Sequence, residues 1–390
     1  MLTREETYEA GKTGRIGHAM NFDFSDEQKF LKTEARKFLD ANCGSDKVRK
    51  VLDDEANSHD EALWKGVAAQ GWLGAAIPEA FGGLGLGHLE LCIIAEELGR
   101  AVAPIPFAST VYILAEAVML AGDDKQKAEI LPKIAAGQLI GALATSEGPG
   151  VLSAATLKAT VSGGKLFGMK IPVTDGDIAD LCIVMAKENG QPGLFLVHLN
   201  GDGVSRAAVK TLDPTRDAAK LTFDGAPAER LGAAGEGFAL LDQILDRAAI
   251  LMSFEQCGGA DKCLEMAKAY ALERYAFGRV IASYQAIKHK LADMYVKNEL
   301  ARSNAYYGAW ALNTDAPEIP SAASAARIAA SEAFWFASKE NIQTHGGIGF
   351  TWEMDCHLYY RRSRQLSLVI GAPRVWKERL VSHLERRNAA

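Results

Sequence analysis

Six short apolar runs decide how this chain is divided: IGALAT (Ile140–Thr145), ATLKATV (Ala155–Val161), KLFGM (Lys165–Met169), LCIVM (Leu181–Met185), GLFLVHL (Gly193–Leu199) and AKLTF (Ala219–Phe223). Each is too short for a buried helix, glycine-bearing turns separate them, and Gly163-Gly164 sits between two of them as a hairpin turn would. Five to seven strands at this spacing predict a small β-barrel or sandwich. On both sides the pattern is helical. Upstream, Ser25-Asp26-Glu27-Gln28 has the form of an N-cap with acidic first-turn residues, and Phe30, Leu31, Ala35, Phe38 and Leu39 follow at helical spacing. Glu61–Gln70 predicts a second helix stopping at Gly71, and Leu89–Leu98 an apolar helix closed by Gly99. Pro104 and Pro106 mark a break before a helix beginning near Ser109. Downstream, Phe238–Leu272, Tyr284–Leu312, Ser321–Gln343 and Met354–Leu384 predict the long helices of a four-helix bundle. The expected class is therefore α+β, ordered α, β, α: an extension over 1–21, an N-terminal α domain over 22–137, a middle β domain over 138–230 and a C-terminal α bundle over 231–390.

Composition narrows the possible functions. The chain of 390 residues is 48% hydrophobic and 24% charged, with 43 Lys and Arg against 49 Asp and Glu, a net charge of −6. That balance argues against a nucleic-acid surface or a polybasic membrane anchor. No apolar run approaches the ~20 residues of a bilayer span. Cys43, Cys92, Cys182, Cys257, Cys263 and Cys356 contain no C-x-x-C pair and no zinc-finger spacing, so no metal site is expected and the cysteines read as reduced thiols. Acidic residues among the first 19 argue against a transit peptide, and Met20 is a plausible second start. A cytoplasmic bacterial protein is the expectation.

Familiar catalytic templates are missing: no G-x-G-x-x-G after a strand, no P-loop, no G-x-S-x-G, no H-E-x-x-H. The glycine run 82–87 precedes a helix in a helical region and reads as a packing turn. Two C-terminal stretches say more. Glu273-Arg274-Tyr275-Ala276-Phe277-Gly278-Arg279, followed by Tyr284-Gln285-Ala286, puts a permanent cation, an aromatic ring and a glycine at a helix end, a combination suited to a pyrophosphate beside a ring. Gln343-Thr344-His345-Gly346-Gly347 places paired glycines where a helix stops, so that a ligand or another backbone can approach closely. Taken alone, both are equally compatible with a helix-end salt bridge and a C-cap.

Together these segments resemble the acyl-CoA dehydrogenase family from about residue 22 to 385. The resemblance rests on Phe22-Asp23-Phe24-Ser25-Asp26-Glu27-Gln28, on Ile77-Pro78-Glu79-Ala80-Phe81-Gly82-Gly83-Leu84-Gly85 with Glu96-Glu97-Leu98-Gly99, and on the two C-terminal stretches. It implies a homotetramer or related dimer of dimers that binds FAD noncovalently and desaturates an acyl-CoA thioester, passing electrons to an electron-transfer flavoprotein. By the same resemblance Arg274 and Phe277 would reach the FAD of a neighbouring subunit, along with Gln343, Gly346 and Gly347 near its adenine end, and Tyr284-Gln285 matches the adjoining cofactor-binding stretch. Ser146 and Thr174 would supply flavin-contacting hydroxyls on the β domain.

The chemistry needs a carboxylate within reach of the thioester α-carbon and hydrogen bonds to its carbonyl. The family's two seats for that glutamate fall on Ile370 and Ala248, and neither side chain accepts a proton. Asp246 is two residues from the helix seat and points about 200° around the axis, while Glu255 is on the same face but roughly 10 Å along it; both are weak substitutes. Glu147-Gly148-Pro149-Gly150 and Pro172 also depart from the family pattern, the latter where a flavin-shielding tryptophan is common, and Ala249 replaces the arginine near the helix seat. Three readings follow: an acyl-CoA dehydrogenase with a relocated base, one half of a heterotetramer whose paralogous subunit carries the glutamate, or a flavoprotein of this fold with desulfinase or monooxygenase chemistry or no catalysis. The second explains the missing carboxylate most simply, and fits fatty acid or steroid side-chain β-oxidation. Pro104 and Pro106 fall in the helix-break region that walls the acyl pocket in the family, with Ala108 and Ser109 just beyond; small residues there would suit a bulky or branched acyl group, and a simple turn is the plainer alternative.

Overall fold

The computed structural model describes residues 25–54 and 58–389; the extension expected over 1–21 and Phe22-Asp23-Phe24 lie outside the described residues. The N-terminal domain comprises α1 (Asp26–Asn42), α2 (Ser45–Asp53), α3 (Glu61–Ala69), α4 (His88–Arg100), a π-helical stretch Ala108–Ala115 running into α5 (Glu116–Ala121), and α6 (Asp124–Ala135). Ser25 and Gln28 form a reciprocal capping box at the start of α1, satisfying two orphan N–H groups. The run 82–87 is a packing turn: a Cβ on Gly83 would sit 2.0 Å from the Ile77 carbonyl oxygen.

Gly99 stands one residue before the end of its helix, α4, close to where the sequence puts the stop. There α4 crosses α7 (Gly237–Glu273) with the two backbones nearly touching. A Cβ on Gly99 would lie 1.8 Å from the Glu255 carbonyl oxygen, and one on Gly258 1.8 Å from that of Glu96. Here glycine serves close approach.

The middle domain is built on one hydrogen-bonded, eight-stranded mixed sheet, the strand-rich unit expected between the two helical ones. Its strands are β1 (Gly141–Ala144), β2 (Thr160–Ser162), β3 (Lys165–Thr174), β4 (Leu181–Glu188), β5 (Gln191–His198), β6 (Val204–Val209), β7 (Ala218–Pro227) and β8 (Glu229–Leu231), in the order β6-β7-β3-β2-β4-β5-β8, with β1 also on β4. Parallel pairing of both β1 and β2 with β4 interrupts the hairpin sequence that a meander would follow, and among the described residues no ladder joins β6 to β8. Gly163 and Gly164, at φ +57° and +71°, make the expected β2–β3 turn, pairing Ser162 with Lys165. Val161, Leu166, Val184, Phe195, Val197, Leu221 and Phe223 form this domain's core.

The C-terminal domain consists of α7, a two-residue hairpin β9 (Tyr275–Ala276) and β10 (Arg279–Val280), α8 (Gln285–Asn313), α9 (Ile319–His345), α10 (Cys356–Leu368) and α11 (Pro373–Ala389). Gly371 (φ +109°) and Pro373 split the last helical run in two. α7 is a single helix of 37 residues, roughly 55 Å long. Its start packs on β5, where a Cβ on Gly237 would strike Gly193. All six cysteines are buried and unpaired. Among the described residues no helix is long and apolar enough to cross a membrane, and no cluster has metal-ligand geometry.

Candidate active site

The residues expected to meet a cofactor fall into two groups. The first is at the C-terminal end of α7. Arg274 caps the helix, and Phe277 (φ +52°) and Gly278 (φ +80°) form the tip of the β9–β10 hairpin. The Tyr284 hydroxyl donates to the Ala276 carbonyl at 2.9 Å, and the Arg279 guanidinium lies 4.1 Å from the Tyr284 ring centre, which stiffens the loop. Beside it α9 ends at His345, which stacks on Tyr270 of α7 with ring centres 4.3 Å apart. That stack brings the two stretches singled out in the sequence to one end of the bundle.

This end is chemically open. A Cβ on Gly278, Gly346 or Gly347 would meet nothing within 4 Å, and Phe277 is 97% exposed. Among the described residues the side chains of Arg274, Gln285 and Gln343 have no hydrogen-bond or ion-pair partner. An unpaired guanidinium, free amides, an uncovered ring and glycines facing open space fit a dinucleotide.

The second group is on the sheet. Ser146 follows β1, bonding through its hydroxyl to Gly148, while its carbonyl accepts from the Ile171 amide at 2.9 Å. Glu147 accepts from the Lys158 and Ala159 amides and from the buried Lys170 ammonium at 2.9 Å. Burial opposes ionisation of Glu147, but these donors outweigh it and hold the carboxyl below its usual range. Burial likewise pulls the Lys170 ammonium down. Thr174 ends β3, half-buried, its hydroxyl without a partner among the described residues.

The expected base positions hold no base. Ala248 is fully buried in α7, and Ile370 is 6% exposed just beyond α10. Asp246 faces α11, where it accepts from Arg379 at 2.6 Å; burial pushes its carboxyl up to about 6 despite that partner. Glu255 makes no hydrogen bond among the described residues, and Arg362 lies 3.6 Å away. Burial raises the Glu255 carboxyl, while Arg216, Arg362 and Arg327 oppose the shift. Ser109 is buried against Asp175, so it opens no space in the wall where small residues were expected to.

Sequence reasoning missed the polar network around Glu255. Arg216 pairs with Asp175 at 2.9 Å; Arg362 pairs with Asp213 at 2.7 Å and donates to Thr215 at 2.8 Å; Arg327 donates to Gln256 at 2.8 Å. The one available signal was Asp213-Pro214-Thr215-Arg216, a charged run within a strand-rich region. Glu255 and Arg274 are 19 residues apart on one helix, roughly 28 Å along its axis. The network and the open bundle end are therefore well separated within one chain.

A sheet domain held between two helical domains, with polar groups exposed at one bundle end, defines the class of architecture. Models of the acyl-CoA dehydrogenase N-terminal domain match residues 25–138 and those of the C-terminal domain residues 235–384. The chain belongs to the acyl-CoA dehydrogenase family, FAD-dependent oxidoreductases acting on acyl-CoA thioesters. It is 35% identical over 364 residues to the acyl-CoA dehydrogenase IpdE2 of Mycobacterium tuberculosis, covering 92% of this chain and 98% of the relative. Among solved structures, a variant of the Tcur3481-Tcur3483 steroid acyl-CoA dehydrogenase superposes with a TM-score of 0.85 at 31% identity, covering 94% of this chain and 99% of the matched one. A chain from the structural study of the electron transferring flavoprotein of Acidaminococcus fermentans superposes at 0.87 with 27% identity, covering 94% and 99%.

Proposed function

We propose that this chain is one subunit of a heteromeric, FAD-dependent acyl-CoA dehydrogenase, and that a paralogous subunit carries the carboxylate that removes the α-proton. One observation carries this reading: both seats for the base hold buried aliphatic side chains, Ile370 and Ala248, while the nearest acids are committed, Asp246 to Arg379 and Glu255 to a cluster of arginines. The name Tcur3481-Tcur3483, borne by a 31% identical structure, describes a two-component steroid enzyme, which supports both the assembly and a bulky, steroid-derived acyl group. Electrons would leave to an electron-transfer flavoprotein, and the enzyme would work in the bacterial cytoplasm.

When bound, FAD supplies the acceptor for the hydride that leaves the β-carbon. The chain's own residues hold and orient. The Arg274 guanidinium neutralises a pyrophosphate, Gly346 and Gly347 let the dinucleotide lie against backbone, and Phe277 covers it. Tyr284 braces the hairpin that carries Arg274 and Phe277, with Gln285 and Gln343 as further donors. Ser146 and Thr174 offer hydroxyls at the sheet. With about 28 Å of helix between the bundle end and the polar network near Thr174, one dinucleotide meets both groups most simply across a subunit boundary.

The test is expression alone and together with a Glu-bearing paralogue, followed by subunit composition, visible spectrum and acyl-CoA turnover. The reading expects a yellow hetero-oligomer that turns over and an isolated chain at least about a hundredfold slower, the scale of losing a general base. Robust turnover by the isolated chain refutes it.

A further inference from the structure

We propose that Asp175, held by Arg216 and Ser109, is a positioning residue for the Thr174 hydroxyl and hence for the flavin ring; this rests on the reading above that Thr174 faces FAD. Asp175 directly follows the last residue of β3. Its φ is +56°, a left-handed conformation that aspartate tolerates better than most side chains and that its surroundings can hold in place. The surroundings here do so from every side. The Asp175 amide donates to the Asp217 carbonyl at 2.8 Å, and its own carbonyl accepts from Ala179 at 2.9 Å. Its carboxylate accepts two bonds from the Arg216 fork, Nη2 at 2.9 Å and Nε at 3.3 Å, and a third from the Ser109 hydroxyl.

Each clamp belongs to a different part of the molecule. Ser109 is on the π-helical stretch of the N-terminal domain, a helix type that recurs at functional sites. Arg216 is on the β6–β7 connection, and that connection is tied to the C-terminal domain: Arg362 of α10 donates to Asp213 and Thr215, and Arg216 bonds back to Asp213 through its amide at 3.0 Å. Arg362 also donates to the Val102 and Ala103 carbonyls at 3.3 Å. Arg327 of α9 donates to Leu366, four residues before Ile370. A continuous chain of hydrogen bonds thus runs from the residue beside Thr174 to the helix that leads into the empty base position, touching all three domains.

Two physical arguments favour positioning over bulk stability or ion binding. The guanidiniums of Arg216 and Arg362 pair with the carboxylates of Asp175 and Asp213, and both, with Arg327, surround Glu255, so each of these buried arginines has a counter-charge within the protein. Buried ion pairs rarely outperform apolar packing in net stability, whereas their directional bonds define one geometry. Thr174 offers the output: its hydroxyl has no protein partner among the described residues, so a ligand is free to take it.

The experiment compares full-length wild type with Asp175→Asn, Arg216→Gln, Arg216→Lys and Ser109→Ala, and with Arg302→Gln as control; Arg302 pairs with Glu96 and Asp261 elsewhere in the bundle. FAD affinity, flavin absorption maxima and flavin midpoint potential are read alongside melting temperature. Asp175→Asn and Arg216→Gln should weaken FAD binding about tenfold or more and shift the bands and the potential. Arg216→Lys should fall between them and wild type, and Ser109→Ala, the mildest change and the fallback if the others fail to fold, should show a smaller shift of the same sign. Arg302→Gln should lower the melting temperature alone. If the Asp175 and Ser109 variants keep wild-type affinity, bands and potential, positioning is refuted while the flavin assignment stands. If the wild-type chain takes up no FAD either alone or together with its Glu-bearing paralogue, both are overturned.

Discussion

The C-terminal end of α7 and its middle use charge in opposite ways. At the end, Arg274, Gln285 and Gln343 stand exposed, their side chains without hydrogen-bond or ion-pair partners among the described residues, beside glycines that face open space. In the middle, Glu255 lies among Arg216, Arg327 and Arg362, each buried, with nearly every donor directed at a named acceptor. The contrast separates two reasons for keeping an arginine. An uncommitted guanidinium on the surface waits for a ligand or another subunit, and its removal leaves the fold untouched. A committed one in the core defines how domains meet, and its removal strands a buried acid.

The largest effect should come from the closed region. Arg362→Met takes from the buried Asp213 carboxylate its guanidinium partner, leaving only Thr215 as donor, and from the Val102 and Ala103 carbonyls the Arg362 donor, and chemical denaturation should show a loss of about 3–5 kcal/mol. A cost below about 1 kcal/mol would mean that the network is slack and the contrast false. Next comes the helix crossing beside it. Gly258→Ala must push α7 off α4, since its methyl would fall 1.8 Å from the Glu96 carbonyl oxygen, and should cost about 1–3 kcal/mol or more.

A subtler effect is pH-dependent. Asp246 has its folded pKa raised from 3.8 to about 6, so between those values the native state holds a proton that the unfolded chain has released. Its contribution to stability therefore falls as pH rises from about 4 to about 6 and is level above. The stability difference between wild type and Asp246→Asn should change across that window and be flat from pH 7 to 8; a flat difference throughout would place Asp246 in a solvated setting. The smallest effect on folding belongs to the open end. Arg274→Gln should change stability by no more than about 0.5 kcal/mol while weakening FAD binding about tenfold or more. A large stability loss with unchanged FAD affinity would make Arg274 a structural residue and erase the distinction.

The sequence was most legible where structure is local. The Ser25–Gln28 cap, the Gly163-Gly164 turn and the end of α9 at Gly346 depend on residues a few positions apart, and each is where the pattern predicted. α2 and β6 escaped because they are short and, in β6, largely exposed, so no apolar period announces them. Gly99 shows only half of its role in the sequence: the helix does end beside it, but the crossing that requires a glycine there depends on Glu255, more than 150 positions away. The same distance hid the Asp175–Arg216–Arg362 network. A charged residue in a sequence looks like surface, and only the fold shows that its counter-ion comes from another domain. That neither expected base position holds an acid was readable in the sequence itself, since Ile370 and Ala248 are aliphatic whatever the fold.

Proton abstraction can be watched apart from desaturation, which makes it the most direct probe of that absence. The isolated, FAD-loaded chain should be incubated with acyl-CoA in deuterium oxide and exchange at the thioester α-carbon followed by NMR. The account predicts exchange no faster than in buffer, rising once a Glu-bearing paralogue joins the complex. Rapid exchange by the isolated chain, abolished in Glu255→Gln, would contradict it and make Glu255 the base.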